Sequence, residues 1–196
     1  MNNIGEFALL LALATAIYGV VAYVMAAKGN RIDLYLSADK APVIVWGCVM
    51  IASIALWKAF LTDDFSLEYV WAYSNRQQEV FYKISSFWGG QKGSLLFWTF
   101  LLTNYMMVVH FQNRSKNIML VPYAMSVMMT IVIFFLFLLN FSTNPFERIP
   151  VPPEDGRGLN PLLQNYWMVI HPPTLYLGYV GFTVPFSFAM AALITK

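Results

Sequence analysis

Residues 118–141 read IMLVPYAMSVMMTIVIFFLFLLNF and contain no Asp, Glu, Lys or Arg. A helix needs about 20 predominantly apolar residues to cross the hydrocarbon core of a bilayer. This stretch is long enough and apolar enough, so it predicts a membrane-spanning helix.

Four other runs have the same character. Hydrophobic residues make up 59% of the chain and charged residues only 11%, against roughly 25% charged residues in soluble domains. The runs are continuous, whereas a membrane β-barrel would show alternating segments of about ten residues. We therefore predict an all-α, polytopic transmembrane helical bundle with about five spans, forming a single membrane domain over residues 1–196. Besides 118–141, the predicted spans are 4–27, 43–61, 93–111 and 174–195.

The first run differs from a secretory signal. It has no basic segment before it, it contains Glu6, and it is longer than a typical signal core. We expect it to remain as a permanent helix.

The basic residues predict which way the bundle sits. Lys and Arg concentrate in short cytoplasmic loops, and the short loops after the first and third spans are dense in them. The N-terminus is therefore predicted to lie outside, with two long outer loops at 62–92 and 142–173. The basic residues in question are Lys28, Arg31, Lys40, Arg114 and Lys116.

Several function classes are disfavoured by what the sequence lacks. The only cysteine is Cys48, inside the second span, so the chain has no internal disulfide and no C-x-x-C-H haem-attachment signature. A net charge of +2 gives no indication of a nucleic-acid partner. No phosphate loop, zinc-type cluster or nucleophile with its base is present. The sequence is therefore not typical of a c-type cytochrome or of an ordinary hydrolase.

His171 is the residue whose surroundings suggest a ligand. It precedes Pro172 and Pro173, which suit the first turn of a helix, so we predict that it stands at the outer N-terminus of the fifth span. The positive end of the helix dipole disfavours an imidazolium there. A neutral ring can present a lone pair to a metal or a proton donor.

Aromatic residues accompany this histidine. Trp167 and Tyr176 lie close to it in sequence, and an imidazole flanked by flat rings suits an axial ligand of haem iron. Trp88, in the first outer loop, is a further candidate. The alternatives are a hydrogen-bonded cap for His171 and an ordinary interfacial belt for the aromatics. The apolar segment 160–170 is too short to span and is expected to lie along the membrane surface or re-enter slightly.

Other residues in the spans have ordinary explanations. His110 is expected to snorkel at the cytoplasmic end of the third span. Gly178 and Gly181 are expected to allow close approach of another helix, and Pro185 is expected to kink the fifth span.

Three longer stretches carry a resemblance to a known family. They are FWGGQKGSLLFW at 87–98, LNPLLQN at 159–165 and IHPPTLYLGYVGF at 170–182. On these stretches the chain closely resembles CcmF proteins, the haem lyase subunits of the cytochrome c maturation system, and Ser142–Phe146 (STNPF) fits the same family.

The resemblance implies a haem-handling function. Members of this family bring haem to the outer face and attach it to apocytochrome cysteines, and the matching histidine, His171 here, is an axial ligand to haem b that is bound transiently. The implied partners are the remaining CcmF segments or a C-terminal chain, the haem chaperone CcmE, apocytochrome c and its thiol chaperone CcmH. The implied location is the bacterial inner membrane, with the large loops periplasmic, or an organelle membrane derived from it.

The chain also departs from the family pattern. The tryptophan-rich signature, a second outer histidine and two membrane-buried histidines are not in this sequence, and Lys92 stands where the family leads us to expect an acid. We therefore expect a split subunit or an N-terminal portion that is not active alone. The alternative is a non-catalytic scaffold that docks apocytochrome chaperones on the outer loops. A transporter is disfavoured because the span interiors carry almost no ionisable residues.

Overall fold

The computed structural model describes residues 2–29, 31–113 and 119–196, and of Asn2 and Asn3 only the backbone. Arg114, Lys116 and Ile118, which entered the predictions above, lie outside the described residues. The α-helices of the described ranges are α1 (Asn2–Gly29), α2 (Ile32–Ala38), α3 (Ala41–Leu61), α4 (Glu68–Tyr73), α5 (Val80–Ser85), α6 (Gln91–Asn113), α7 (Val121–Phe141), α8 (Tyr166–Gly181) and α9 (Thr183–Ile194). Two short 3₁₀ turns cover Ser86–Trp88 and Pro161–Leu163.

The predicted helical membrane fold is confirmed. Five helical stretches in the described part of the chain are long and apolar enough to cross a bilayer. The side of the membrane on which the N-terminus lies stays a prediction. The five stretches are Ile4–Gly29, Ile32–Leu61, Gln91–Asn113, Val121–Phe141 and Tyr166–Ile194.

Helix α1 lies between α3 and α7 and packs against both. Its buried side includes Ala8, Ala12 and Ala16, all at most 5% exposed and spaced four residues apart. Residues at this spacing share one face of a helix, and small side chains let neighbouring helices approach closely in a membrane. The alanine stripe therefore sets the tight centre of the bundle.

The two long loops form one layer at one end of the bundle, which we call the loop end. An isolated antiparallel bridge joins Leu67 to Arg148. Further along, the Arg157 N–H donates to the Trp71 carbonyl at 2.8 Å, and the Arg157 guanidinium lies 4.1 Å above the Trp71 ring. Backbone pairing and a cation–π contact therefore hold the two loops together.

His110 contradicts its prediction. It does not snorkel: it is 3% exposed, and its Nδ1 lies 3.4 Å from Asp39 Oδ1. The Tyr23 hydroxyl also donates to Asp39 Oδ1, at 3.5 Å. An ionisable group inside a membrane protein is costly unless it has a partner, and folding brings this carboxylate to the imidazole from a distant part of the chain.

The last two helices form the edge of the bundle. Over an 18-residue apolar portion of each stretch, only 17% of the residues are buried in Tyr166–Ile194, against 44 to 56% in the other four. The stretch is interrupted at Phe182, between α8 and α9. Pro185 accounts for the interruption because it lacks an N–H for the Gly181 carbonyl and its ring crowds that carbonyl. The kink expected from Pro185 stays a prediction, and the structure shows the interruption at Phe182, three residues before it.

Candidate functional site

The helix that carries His171 begins earlier than its prolines suggest. Helix α8 starts at Tyr166 and runs through Pro172 and Pro173 without a break. The prediction that His171 stands at the helix N-terminus is therefore wrong. His171 lies about one and a half turns inside the helix, so the helix-dipole argument, which concerns mainly the first turn, does not apply to its ring.

The start of α8 is set by Asn165. Its side-chain oxygen accepts a hydrogen bond from the Trp167 N–H at 3.0 Å. Asparagine is among the preferred residues at this capping position because it satisfies one of the unpaired N–H groups of the first turn. Asn165 is therefore a capping signal that the sequence already contained. The prediction placed the helix start at Pro172 and Pro173 instead, which was wrong.

A side-chain donor compensates for the second of the two interior prolines. A proline removes the N–H that would bond to the carbonyl four residues earlier, so Pro173 leaves the Val169 carbonyl without its helical partner. The indole Nε1 of Trp88 donates to that carbonyl at 3.2 Å. The Thr174 hydroxyl lies 2.9 Å from the His171 carbonyl oxygen. Trp88 thus replaces the donor that Pro173 lacks, and Thr174 adds a local hydrogen bond to the backbone of His171.

Trp88 and Tyr176 both face the bundle. Trp88 is half-buried, with its ring 5.2 Å from that of Phe97. The Tyr176 ring stacks on Trp98, with centroids 5.5 Å apart and planes 14° apart. Both candidates for flat haem contacts are therefore engaged in attaching α8 to α6.

Trp167 and His171 lie on the opposite side of α8. Trp167 is 74% exposed and His171 is also exposed. Residues four apart are neighbours on a helix surface, and Leu175, 42% exposed, continues the same line. We call Trp167, His171 and Leu175 the outer strip of α8. The strip places an imidazole beside an indole on an uncovered face.

The segment that supplies Trp88 is held by a buried tyrosine. The Tyr69 hydroxyl accepts a hydrogen bond from the Gly90 N–H at 3.0 Å and lies 3.1 Å from the Phe87 carbonyl oxygen. Burial raises the pKa of this hydroxyl above its ordinary value. A side chain at Gly93 would collide with the Phe87 carbonyl. The glycines of this segment therefore allow the close packing that fixes Trp88.

Lys92, at the start of α6, joins two acids from different loops. Its Nζ lies 2.5 Å from Glu68 Oε2 and 2.6 Å from Glu147 Oε2. The acid expected at position 92 is replaced by a base whose partners come from α4 and from the second loop. Here Lys92 links the loop layer to the bundle.

The donor set at the outer strip fits haem iron. A porphyrin already supplies four equatorial nitrogens, so one exposed imidazole is sufficient as a protein axial ligand. Trp167 offers a flat ring one turn away. Among residues 2–29, 31–113 and 119–196, no group of three His, Cys, Asp or Glu side chains could hold a bare metal ion.

Known proteins resemble the chain along nearly its whole length. The model of the family described as "Cytochrome C assembly protein" matches residues 88–196, more than half of the chain and all the candidate residues above. The biogenesis protein CycK of Rhizobium meliloti is 39% identical over 98% of the chain, and CcmF of Pseudomonas aeruginosa is 40% identical over 98%. The chain covers 28% and 29% of those two proteins.

A solved structure also resembles the chain. The structure titled "Cytochrome c Heme Lyase CcmF" superposes with a TM-score of 0.84 at 27% identity, covering 99% of this chain and 30% of that one. The chain thus spans about three tenths of the length of the relatives that it matches, and the resemblance to a portion of CcmF is supported by both sequence and fold. The chain belongs to the cytochrome c assembly protein family.

Proposed function

We propose that the chain is an N-terminal part or a split subunit of a CcmF-type cytochrome c haem lyase, and that it presents His171 as an axial ligand to haem during transfer to apocytochrome c. The observation that carries this proposal is the outer strip of α8. It displays an imidazole and an indole together on the least covered helix of the bundle, beside the loop end.

Haem b is the substrate in this proposal and is bound jointly with the remaining CcmF segments or a C-terminal chain. Haem supplies the vinyl groups to which the apocytochrome thiols add. His171 would hold the iron and Trp167 would lie against the porphyrin edge, while Trp88 and Tyr176 keep α8 in place. Positioning of this kind brings the reacting groups together without a nucleophile from this chain.

The proposed partners are the haem chaperone CcmE, apocytochrome c and its thiol chaperone CcmH. Their proposed contact surface is the loop end, next to His171. We propose that this end faces the periplasm across the bacterial inner membrane. Cys48 is buried, so a single added cysteine at the exposed residue Val151 would report on the side. Labelling of intact cells by a membrane-impermeant thiol reagent is expected at V151C.

Haem titration of the purified protein together with its remaining family segments tests the ligand. The chain has two histidines, and His110 is buried against Asp39. Removing His171 should therefore remove the histidine-ligated haem spectrum that this chain contributes. In H171G, added imidazole should restore the spectrum by occupying the vacated position. The matched control is Leu177→Ala, at a 47% exposed position on another face of the same helix, which should leave the spectrum unchanged.

Maturation of a reporter cytochrome c in cells separates this proposal from a scaffold. Loss of holocytochrome in H171A, with normal co-purification of the partner proteins, supports the ligand role. Unchanged haem spectra and normal maturation in H171A would contradict it. Loss of maturation only after changes in the loops would favour docking alone.

A further inference from the structure

A groove runs along the bundle surface, and His171 is not among the residues that line it. At the end opposite the loops, a cavity of about 660 Å³ lies between α2, α3 and α6. Its polar lining comes from Asp39, Lys40 and His110, and its apolar lining includes Val43 and Phe111. These last two residues also line a second cavity, of about 410 Å³, farther along α3 and α6, to which α8 contributes Leu177. The shared residues show that the two cavities adjoin, and we call the two together the groove.

The two halves of this groove differ in chemistry. The first half ends in an acid, a base and an imidazole. The second half is walled by apolar and aromatic side chains, with Trp46 and Leu101 among them. A groove with one polar end and a long apolar half is complementary to an amphiphile with a charged head and hydrocarbon chains.

Polar groups in the apolar half are already paired. The Trp46 Nε1 donates to Asn104 Oδ1 at 3.2 Å, and Asn104 Nδ2 donates to the Phe100 carbonyl at 2.7 Å. The Tyr105 hydroxyl donates to the Leu177 carbonyl at 2.9 Å. Because these groups bond to each other or to the backbone, the wall can face hydrocarbon without leaving unpaired polar atoms.

We propose that this groove binds one zwitterionic phospholipid with a phosphoethanolamine head. The ammonium of the head would lie against the Asp39 carboxylate, and the phosphate against the Lys40 ammonium. The acyl chains would follow α3 and α6 past Val43 and Phe111. This inference concerns a different surface from the haem proposal and does not depend on it.

Charge complementarity selects the head group. Asp39 and Lys40 are adjacent in sequence and line the same cavity. A zwitterionic head group carries both an ammonium, which can pair with Asp39, and a phosphate, which can pair with Lys40. A purely anionic lipid carries a phosphate but no ammonium. Its phosphate would lie near the Asp39 carboxylate, and the lipid would have no cationic group to pair with that carboxylate. His110 Nδ1 at 3.4 Å and the Tyr23 hydroxyl at 3.5 Å fix the orientation of Asp39.

Native mass spectrometry can test the proposal on the intact chain. Detergent-purified protein is mixed with equal amounts of phosphatidylethanolamine and phosphatidylglycerol that carry the same acyl chains. We expect one bound phosphatidylethanolamine per chain. Lys40→Gln should lower its retention about tenfold, because a charge-assisted hydrogen bond to the phosphate is lost.

A second variant tests the groove itself. Val43→Trp fills the junction of the two cavities and should abolish the retained lipid. Val43 is 40% exposed, so the larger ring can be placed without opening the core. The matched control is Val21→Trp on α1, at a 53% exposed position outside this groove, which should retain lipid like the unmodified chain.

Three results would overturn the proposal. They are equal retention of the two lipids, equal lipid retention in V43W and V21W, and a lipid-free dimer that V43W converts to monomer. The last would assign the groove to a second copy of the chain.

Discussion

The indole N–H of Trp88 donates to the Val169 carbonyl at 3.2 Å, and this is the carbonyl that Pro173 deprives of its helical partner. The contact joins the glycine-rich segment before α6 to the helix that carries His171. A residue of the first loop therefore stabilises the backbone at the proposed ligand, and the contact can be tested by changing either side of it.

Trp88→Phe should destabilise the first half of α8 while keeping an aromatic ring. Loss of one hydrogen bond to a partly buried carbonyl costs about 1 to 3 kcal/mol. Hydrogen exchange of the α8 amides should become faster, and haem retention through His171 should fall. Trp98→Phe is the matched control, because its ring stacks on Tyr176 and the Val169 contact remains.

Pro173→Ala provides the complementary test. Alanine restores a backbone N–H four residues after Val169, so the carbonyl no longer depends on Trp88. The effect of W88F on amide exchange should therefore be much smaller in the P173A background. Equal effects of W88F on amide exchange in both backgrounds would show that the Trp88 indole N–H does not stabilise α8 through the Val169 carbonyl.

The ion pair between Lys83 and Asp63 should contribute strongly to loop stability. Lys83 Nζ lies 2.6 Å from Asp63 Oδ1, and the two side chains are only 8% and 24% exposed. Lys83→Met leaves the largely buried Asp63 carboxylate without its cationic partner. This costs about 3 kcal/mol of unfolding free energy and should clearly lower the melting temperature.

A double variant and an exposed pair serve as comparisons. Adding Asp63→Asn to K83M should recover part of the loss, because no uncompensated charge remains. Arg31→Met breaks the Arg31–Asp33 pair, whose side chains are 57% and 70% exposed, and should lower the melting temperature far less, because solvent screens exposed pairs. Similar losses for K83M and R31M would contradict the prediction.

Acid should weaken the contact between Lys92 and Glu147. The hydrogen bond from Lys92 holds the pKa of Glu147 below its ordinary value of 4.5. A carboxyl whose pKa is lowered by folding contributes stability above its unfolded pKa and loses it as the pH falls through the lower folded pKa. The melting temperature should therefore fall on acidification below about pH 4.5, and Glu147→Gln should reduce that slope.

Lys92→Met is the control for this pH effect. It removes the cause of the shift, so E147Q should change the slope little in the K92M background. An E147Q effect that is the same with and without Lys92 would assign the slope to another interaction.

Gly93→Ala should disrupt the segment that positions Trp88. The new methyl would collide with the Phe87 carbonyl and lie 2.5 Å from the Tyr69 hydroxyl. The carbonyl belongs to the backbone, so it cannot move aside as a flexible side chain can. We expect a loss of about 3 kcal/mol or more in unfolding free energy, measured by thermal unfolding in detergent.

Gly178→Ala is the matched control, because nothing lies within 4 Å of a methyl placed there. Alanine is the better helix former by about 1 kcal/mol, so G178A should be neutral or stabilising in this chain. A comparable loss in the two variants would contradict the packing argument. The close helix approach expected at Gly178 and Gly181 is not observed within the described residues, because a methyl at Gly181 would also fit, 3.6 Å from the Tyr105 hydroxyl of α6.

The amino-acid sequence by itself determined the membrane fold and the family. A run such as 118–141 has too few polar side chains for water, and its length matches a bilayer, so neither property depends on tertiary contacts. The resemblance carried by 87–98 and 170–182 is likewise a property of the chain, and the family match covers both.

Only the tertiary structure decided how the candidate residues are used. The proline rule that placed the start of α8 at Pro172 is local, and it failed because a donor from a distant loop, Trp88, satisfies the carbonyl that Pro173 exposes. His110 is buried for the same kind of reason, since Asp39 reaches it from another helix. Hydrogen-bond partners remote in sequence cannot be read from spacing, and here they determined which aromatic rings face the bundle and which stand beside His171.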